Sequence, residues 1–373
     1  MTLGPKQLSR RRFLNTGAGL AVGGMVALAS RPLAEASVAH AAAADERIKV
    51  GQIGTTHAHA SGKIQALKKL SEHFELVGIV EPDPQKRKEA QDTPAYKDLK
   101  WLTEQQLLDT PGLKAVAVEN TEFENVAAAL RCIQAGMHVH LDKPPGESLA
   151  ALKKLFDIAQ KRGLNIQLGY MFRNSPAFQL CFDAVRKGWL GDIFEIHGVI
   201  SKAVTDTRRK EDQRYAGGSM YILGCHLIDA LIILMGPPDK VTPYIRRTRP
   251  EHDTMADNML AVFEYPKATA SVRSTFIEVD GAKRRHLVVC GSKGTIEIRP
   301  LEPPQLHLTL DQPVENFKKG AQLVSLPKMP GRYDDQLIDF AKIIRGQKNP
   351  DYSFAHELAV HKAVLLASGL PLG

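Results

Sequence analysis

A short apolar strand ending on a glycine, then a helix, then a second strand ending on an acid, restricts the fold of this chain more than any other feature. Residues 48–54 read Ile-Lys-Val-Gly-Gln-Ile-Gly, helical spacing follows through Ile64, Leu67 and Leu70, and the apolar run 75–80 stops at Glu81. This is a β-α-β unit of the size that binds a mononucleotide, with the helix N-terminus facing an anion. A carboxylate in the place of Glu81 accepts hydrogen bonds from both ribose hydroxyls of NAD and repels the extra phosphate of NADP. The turn departs from the G-x-G-x-x-G pattern. It reads Gly54-Thr55-Thr56-His57-Ala58-His59-Ala60, with threonine where a second glycine lets backbone approach a pyrophosphate. Thr55, Thr56 and His57 are the expected hydrogen-bond donors in its stead.

The alternation continues. Residues 114–119, 137–141 and 164–169 are strand-like, and 123–135 and 149–162 have helical spacing. Alternating βα units imply an α/β fold whose N-terminal domain, residues 47–168, is a Rossmann domain with a parallel sheet covered by helices on both faces. Ligands bind such sheets beyond the strand C-termini, where Gly54, Glu81, Asn120 and Lys143 fall. These four, with Thr55, Thr56 and His57, are the expected cofactor-binding residues.

The net charge of +8 raises a nucleic-acid reading, which its distribution excludes. Lys6, Arg10, Arg11, Arg12 and Arg31 against Glu35 account for +4 of it within residues 1–44, and the rest is dispersed. No basic patch interleaved with aromatics follows a phosphate backbone. Cys132, Cys181, Cys225 and Cys290 are far apart and form no C-x-x-C pair, so neither a disulfide framework nor a thiolate metal site is signalled.

The N-terminus reads as an address. Ser9-Arg10-Arg11-Arg12-Phe13-Leu14 precedes a Gly- and Ala-rich stretch, 17–30, that is too short and weakly apolar for a stable membrane anchor. It resembles a twin-arginine export signal over residues 1–44, with small-residue cleavage sites at 39–44. The implied partner is the twin-arginine translocase and the implied location is the periplasm. That pathway carries folded proteins, so a cofactor bound in the cytoplasm can cross with the chain.

The motifs after the fifth strand narrow the family. Asp142-Lys143-Pro144 is followed by Gly169-Tyr170-Met171-Phe172-Arg173, by Gly217-Gly218-Ser219-Met220, and by Gly224-Cys225-His226-Leu227-Ile228-Asp229. Gly291-Ser292-Lys293-Gly294-Thr295-Ile296-Glu297 closes the series. With the leading βαβ unit, this order resembles the Gfo/Idh/MocA oxidoreductases over residues 47–369. The resemblance implies a C-terminal α+β domain, residues 169–373, with a large, mostly antiparallel sheet used for substrate binding and homo-oligomer contacts. The strand-like runs 193–201, 241–247, 259–265, 268–277 and 285–290 agree with it, as do helical runs at 334–345 and 356–368. Two positions depart from the family pattern. Asp142 replaces the glutamate before the lysine, and Ile222 stands where relatives often have an aspartate one helical turn before the histidine.

The implied chemistry is oxidation of a secondary hydroxyl. It needs a hydride acceptor, which NAD supplies, a base for the hydroxyl proton, and a positive group against the developing alkoxide. His226 is the expected base and Lys143 the expected donor. Tyr170 and Arg173, just past a strand end, are expected to hold substrate hydroxyls together with Tyr221 and Asp229. His57-x-His59 and His138-x-His140 present paired imidazoles, but no carboxylate or thiol spacing completes a metal site, so no metal is expected and strand packing accounts for His138 and His140. The expected function is an NAD(H)-dependent oxidoreductase acting on a sugar, glycoside or cyclic polyol. Two alternatives stay open. One is a redox-neutral, glycoside-cleaving enzyme that uses the same oxidation transiently, eliminates the substituent and retains its cofactor; the other is a binding protein that has lost catalysis.

Overall fold

Apolar side chains on both faces of short strands force the first sheet into the interior. The computed structural model describes residues 47–372, so the expected export signal, residues 1–44, lies outside the described residues. Strands β1 (Ile48–Ile53), β2 (Phe74–Val80), β3 (Trp101–Leu102), β4 (Leu113–Val118), β5 (His138–Leu141) and β6 (Ile166–Leu168) form one parallel sheet. Their order is β3-β2-β1-β4-β5-β6. Val50, Ile79, Val116, Val139 and Leu141 are buried in it, as continuous apolar strands of a two-sided parallel sheet must be. The connections are α1 (Ala60–Lys69), α2 (Pro84–Gln91), α3 (Glu104–Leu108), α4 (Glu122–Gln134) and α5 (Leu149–Lys161). The direction of winding reverses between β1 and β4, which opens a crevice beyond their C-terminal ends.

The second sheet contains β7 (Ile193–Ser201), β8 (Lys240–Arg246), β9 (Asn258–Tyr265), β10 (Ala268–Thr275), β11 (His286–Gly291), β12 (Gly294–Ile298), β13 (Leu306–Leu310) and β14 (Gly320–Val324). Its order is β14-β13-β12-β11-β7-β10-β9-β8, and only the β7–β10 pair is parallel. The expected architecture, a parallel Rossmann sheet followed by a large, mostly antiparallel one, is the observed one. Its helices are α6 (Pro176–Arg186), α7 (Asp206–Asp212), α8 (Cys225–Met235), α9 (Asp334–Ile344) and α10 (Phe354–Ala367). Every residue of α8 from Cys225 to Ile232 is buried, so this helix runs through the core. Among the described residues no helix is long and apolar enough to cross a membrane.

The last two helices return to the first sheet. Gln336 on α9 donates to the Leu168 carbonyl and accepts at its own carbonyl from Gln167, and the Phe354 ring stacks on Phe156 of α5 at 4.5 Å. The expected boundary at 168/169 falls at the end of β6, yet the C-terminal helices bind both sheets into one unit.

A buried ion-pair cluster reinforces this union and corrects two expectations. Arg173, in the turn after β6, donates through Nε and Nη2 to Asp229 of α8 and through Nη1 and Nη2 to Glu357 of α10, with its shortest contacts at 2.6 Å. Its guanidinium also lies over the rings of Tyr170 and Tyr352. Arg173 and Asp229 were expected to hold substrate. Their hydrogen-bonding groups are instead committed to each other and to Glu357, and a charge pair removed from water in this way is held by its partners.

His361 on α10 is fully buried, and neither ring nitrogen has a hydrogen-bond partner. Burial lowers its pKa to about 4. The unfolded chain therefore takes up a proton near pH 6.5 that the folded chain refuses, and stability falls as pH drops from about 6.5 toward 4. Denaturant titrations of the wild type and His361→Leu at pH 7 and pH 5 test this. The variant is expected to lose about 2 kcal/mol less on acidification; an equal loss would contradict the assignment.

Candidate active site

The turn after β1 is shaped by close approach rather than by a glycine-rich loop. Gly54 has a φ of +90°, and a Cβ there would stand 2.3 Å from Asn120 Oδ1 and 2.6 Å from its backbone nitrogen. Only glycine fits both the conformation and the space. The Thr55 N–H and hydroxyl donate to Glu81 Oε2 at 3.0 and 2.7 Å, and the Asp83 N–H donates to Oε1 at 3.2 Å. Glu81 thus fastens the turn to the end of β2. Three of its roughly four acceptor positions are used, which leaves about one free. A cleft of about 610 Å³ opens beside the turn, lined by Thr55, Thr56, Ala58 and Tyr96 on one side and by Arg208 and Arg214 on the other.

Beneath the turn lies a buried polar cluster that sequence reasoning did not assemble. The His57 ring points mainly inward, with Nδ1 3.5 Å from Asp142 Oδ2 and 3.6 Å from Glu119 Oε2, and with Nε2 3.8 Å from Glu122. His59 Nδ1 is 3.3 Å from Asp142 Oδ2. Lys63, on the inner face of α1, reaches Asp142 at 3.4 Å and Glu119 at 3.7 Å and touches His140. Burial acts to lower the His57 pKa, but the Asp142, Glu119 and Glu122 carboxylates outweigh it and raise the value. Burial, then Asp142, pushes Glu119 up to about 7. Burial lowers His59 and His140 to about 3 each. Lys63 beside Ile64 on an apolar helix face was the one local signal that a partner waited inside.

On the far side of the crevice, Asp142 Oδ1 accepts from the Lys143 N–H at 2.7 Å and fixes the start of that residue. The Lys143 ammonium is buried and points at the carbonyl of Ile222, 3.5 Å away. That carbonyl belongs to a π-helical turn, Met220–Gly224, of a kind often found at functional sites. Gly218 enters the turn at φ +54°, where a Cβ would stand 2.0 Å from the Ala256 carbonyl oxygen. Ser219 and Ser274 then exchange hydroxyl-to-carbonyl hydrogen bonds of 2.9 Å, pinning the turn to β10. At position 222 the chain offers a backbone oxygen to Lys143.

His226 begins α8 against Phe172, with ring centroids 5.3 Å apart, and stands 6.2 Å from both Tyr170 and His59. Burial first, then the charge of Lys143, holds its pKa well below the usual imidazole range. Its Nδ1 is buried without a hydrogen-bond partner, as are the hydroxyls of Tyr170 and Tyr221. The fold therefore brings Lys143, His226 and Tyr170 together at the crevice, and Tyr221 lies in the adjoining π-helical turn. Asn120 packs on Gly54 at its centre, and Arg173 and Asp229 belong to the ion-pair cluster behind it.

Two family profiles match. One, described as the oxidoreductase family NAD-binding Rossmann fold, takes residues 48–170, and the other, a GFO/IDH/MocA C-terminal domain, takes residues 178–297. An uncharacterized oxidoreductase, YhhX, of Escherichia coli (strain K12) is 29% identical over 212 residues, 56% of this chain and 59% of the relative. A trans-1,2-dihydrobenzene-1,2-diol dehydrogenase of Bos taurus is 27% identical over 233 residues, 61% of this chain and 65% of the relative. Each alignment thus spans less than two thirds of the relative. An aldose-aldose oxidoreductase from Caulobacter crescentus superposes with a TM-score of 0.73 at 19% identity, covering 87% of this chain and 98% of that one, which shows a shared fold. With both halves matched in order, and with strand order and motifs in agreement, the chain belongs to the Gfo/Idh/MocA family of oxidoreductases.

Proposed function

We propose that this oxidoreductase acts on a secondary hydroxyl of a sugar, glycoside or cyclic polyol and uses NAD in preference to NADP. The observation that carries the reading is the unpartnered His226 Nδ1, a neutral base buried in the crevice with the Lys143 ammonium close enough to depress its pKa. A substrate hydroxyl there satisfies an orphaned acceptor and delivers its proton to it. Lys143 supplies positive charge to the oxygen that loses the proton. The unpartnered Tyr170 and Tyr221 hydroxyls suit the remaining polar groups of a polyol. The names of the bovine and Caulobacter proteins, a diol dehydrogenase and an aldose-aldose oxidoreductase, support the substrate class.

The residues present fit a dinucleotide. Gly54 and Asn120 meet at the switch point, Glu81 closes β2, and the cleft beside Thr55 and Thr56 has the volume of a ligand site. When bound, NAD supplies the hydride acceptor. A carboxylate at Glu81, at the end of β2 where a ribose would lie, supports NAD over NADP. The leader supports export of the folded protein by the twin-arginine route with its cofactor in place.

Lys143→Met and His226→Asn are each expected to lower kcat by about 10²-fold or more while leaving NAD affinity nearly unchanged. Single-turnover kinetics with a sugar substrate measure this, and full activity in His226→Asn would remove the base assignment. A base must be unprotonated, so the depressed pKa of His226 places the acid limb of the rate profile below pH 6.5, and Ile222→Asp, by raising that pKa, is expected to move it upward. Glu81→Ala is expected to narrow the preference for NAD over NADP in parallel titrations; equal affinities in the unmodified protein would contradict the role of Glu81.

A further inference from the structure

His57, His59 and Asp142 can each contribute one donor atom to a group in which all separations are within 4.8 Å. The contacts within it are of an unusual length. His59 and His57 Nδ1 stand 3.3 and 3.5 Å from Asp142 Oδ2, and His57 Nδ1 stands 3.6 Å from Glu119 Oε2. Charge-assisted hydrogen bonds close to about 2.7–2.9 Å. The two histidine–Asp142 separations are instead near the edge, roughly 3.4 Å, of a tetrahedron with metal–ligand bonds of about 2.1 Å.

Glu119 supplies an independent observation. Both of its oxygens are fully buried and make no hydrogen bond, and its nearest cationic neighbours, His57 and Lys63, stay 3.6 and 3.7 Å away. A buried carboxylate left in this state is costly.

We propose that His57, His59 and Asp142 bind a divalent transition-metal ion of the zinc class beneath the cofactor turn, with the Glu119 carboxylate beside them outside the donor set. Two imidazoles and one carboxylate form a borderline donor set suited to zinc and cobalt and less to calcium or magnesium. Lys63 remains outside the donor set as a counter-charge, and the ion displaces one long hydrogen bond, from the His59 N–H to His57 Nδ1 at 3.3 Å. The ion fixes the segment in which Thr56 and His59 replace the usual glycines. Asp142 is both a donor to the ion and the anchor of the Lys143 backbone, so the site also holds the start of the catalytic lysine. The site stands whether or not the proposed substrate class is right.

The test uses the whole mature protein, with neither NAD nor sugar in the assay. Metal is removed with a chelator and Co²⁺ is titrated back, with visible d–d absorption as the readout. One equivalent of Co²⁺ with tetrahedral-type absorption, displaced by Zn²⁺, is expected. His59→Ala and Asp142→Asn, with folding checked by circular dichroism, are expected to weaken binding by about 100-fold or more. If the variants fail to fold, the wild-type titration decides alone. No stoichiometric uptake by the wild type, or equal uptake by folded His59→Ala, would overturn the proposal.

Discussion

The crevice depends on the carboxylate of Asp142. Placed at the end of β5 and cut off from water, it must be neutralised, and everything near it is arranged to do so. His57 and His59 descend from the β1 turn, Lys63 crosses from α1, and the Lys143 N–H donates from the next residue. These contacts hold the Asp142 pKa well below the ordinary carboxylate range despite burial, which alone would raise it. Its other constraint is steric: Gly169 at the end of β6 passes so near that a Cβ would stand 3.0 Å from Asp142 Oδ1. Aspartate in place of the longer glutamate of related motifs keeps the group close to its own strand.

From that point the site is completed by elements of the second half. The π-helical turn brings the Ile222 carbonyl to Lys143 and starts α8 at His226, and the Ser219–Ser274 pair ties this turn to the antiparallel sheet. Behind it, Arg173 joins α8 to α10 through Asp229 and Glu357. The neighbourhood of Lys143 and His226 is thus backed by a buried ion cluster, through Arg173 over the Tyr170 ring, and by a hydroxyl exchange.

The architecture was legible because periodicity survives in long elements. The βαβ alternation, five of the eight antiparallel-sheet strands and both C-terminal helices follow from apolar spacing. Strands β12 to β14 did not stand out as separate strands because they are short, and β3, with two residues, carries no period at all. Lys143 and His226 could be named from sequence because each lies in a continuous motif, and burial of His226 near the Lys143 charge places them in one neighbourhood. The cluster of Lys63, Glu119 and Asp142 could not, since His59 and Asp142 are 83 residues apart and only the β1–β4–β5 pairing brings their neighbourhoods together. Arg173 and Asp229 misled for a related reason. A charged residue at a strand end or on a helix looks the same in sequence whether it faces a ligand or a partner 56 residues away.

In the proposed reaction, hydride leaves a secondary carbinol carbon of a sugar or polyol held between Lys143 and His226. Mass spectrometry of the nicotinamide cofactor after incubation with carbinol-deuterated substrates tests it most directly. Transfer of one deuterium, as deuteride, from a sugar or polyol, abolished in His226→Asn with cofactor still bound, is the predicted result. A cofactor that stays bound and unlabelled across sugars, glycosides and cyclic polyols would contradict it.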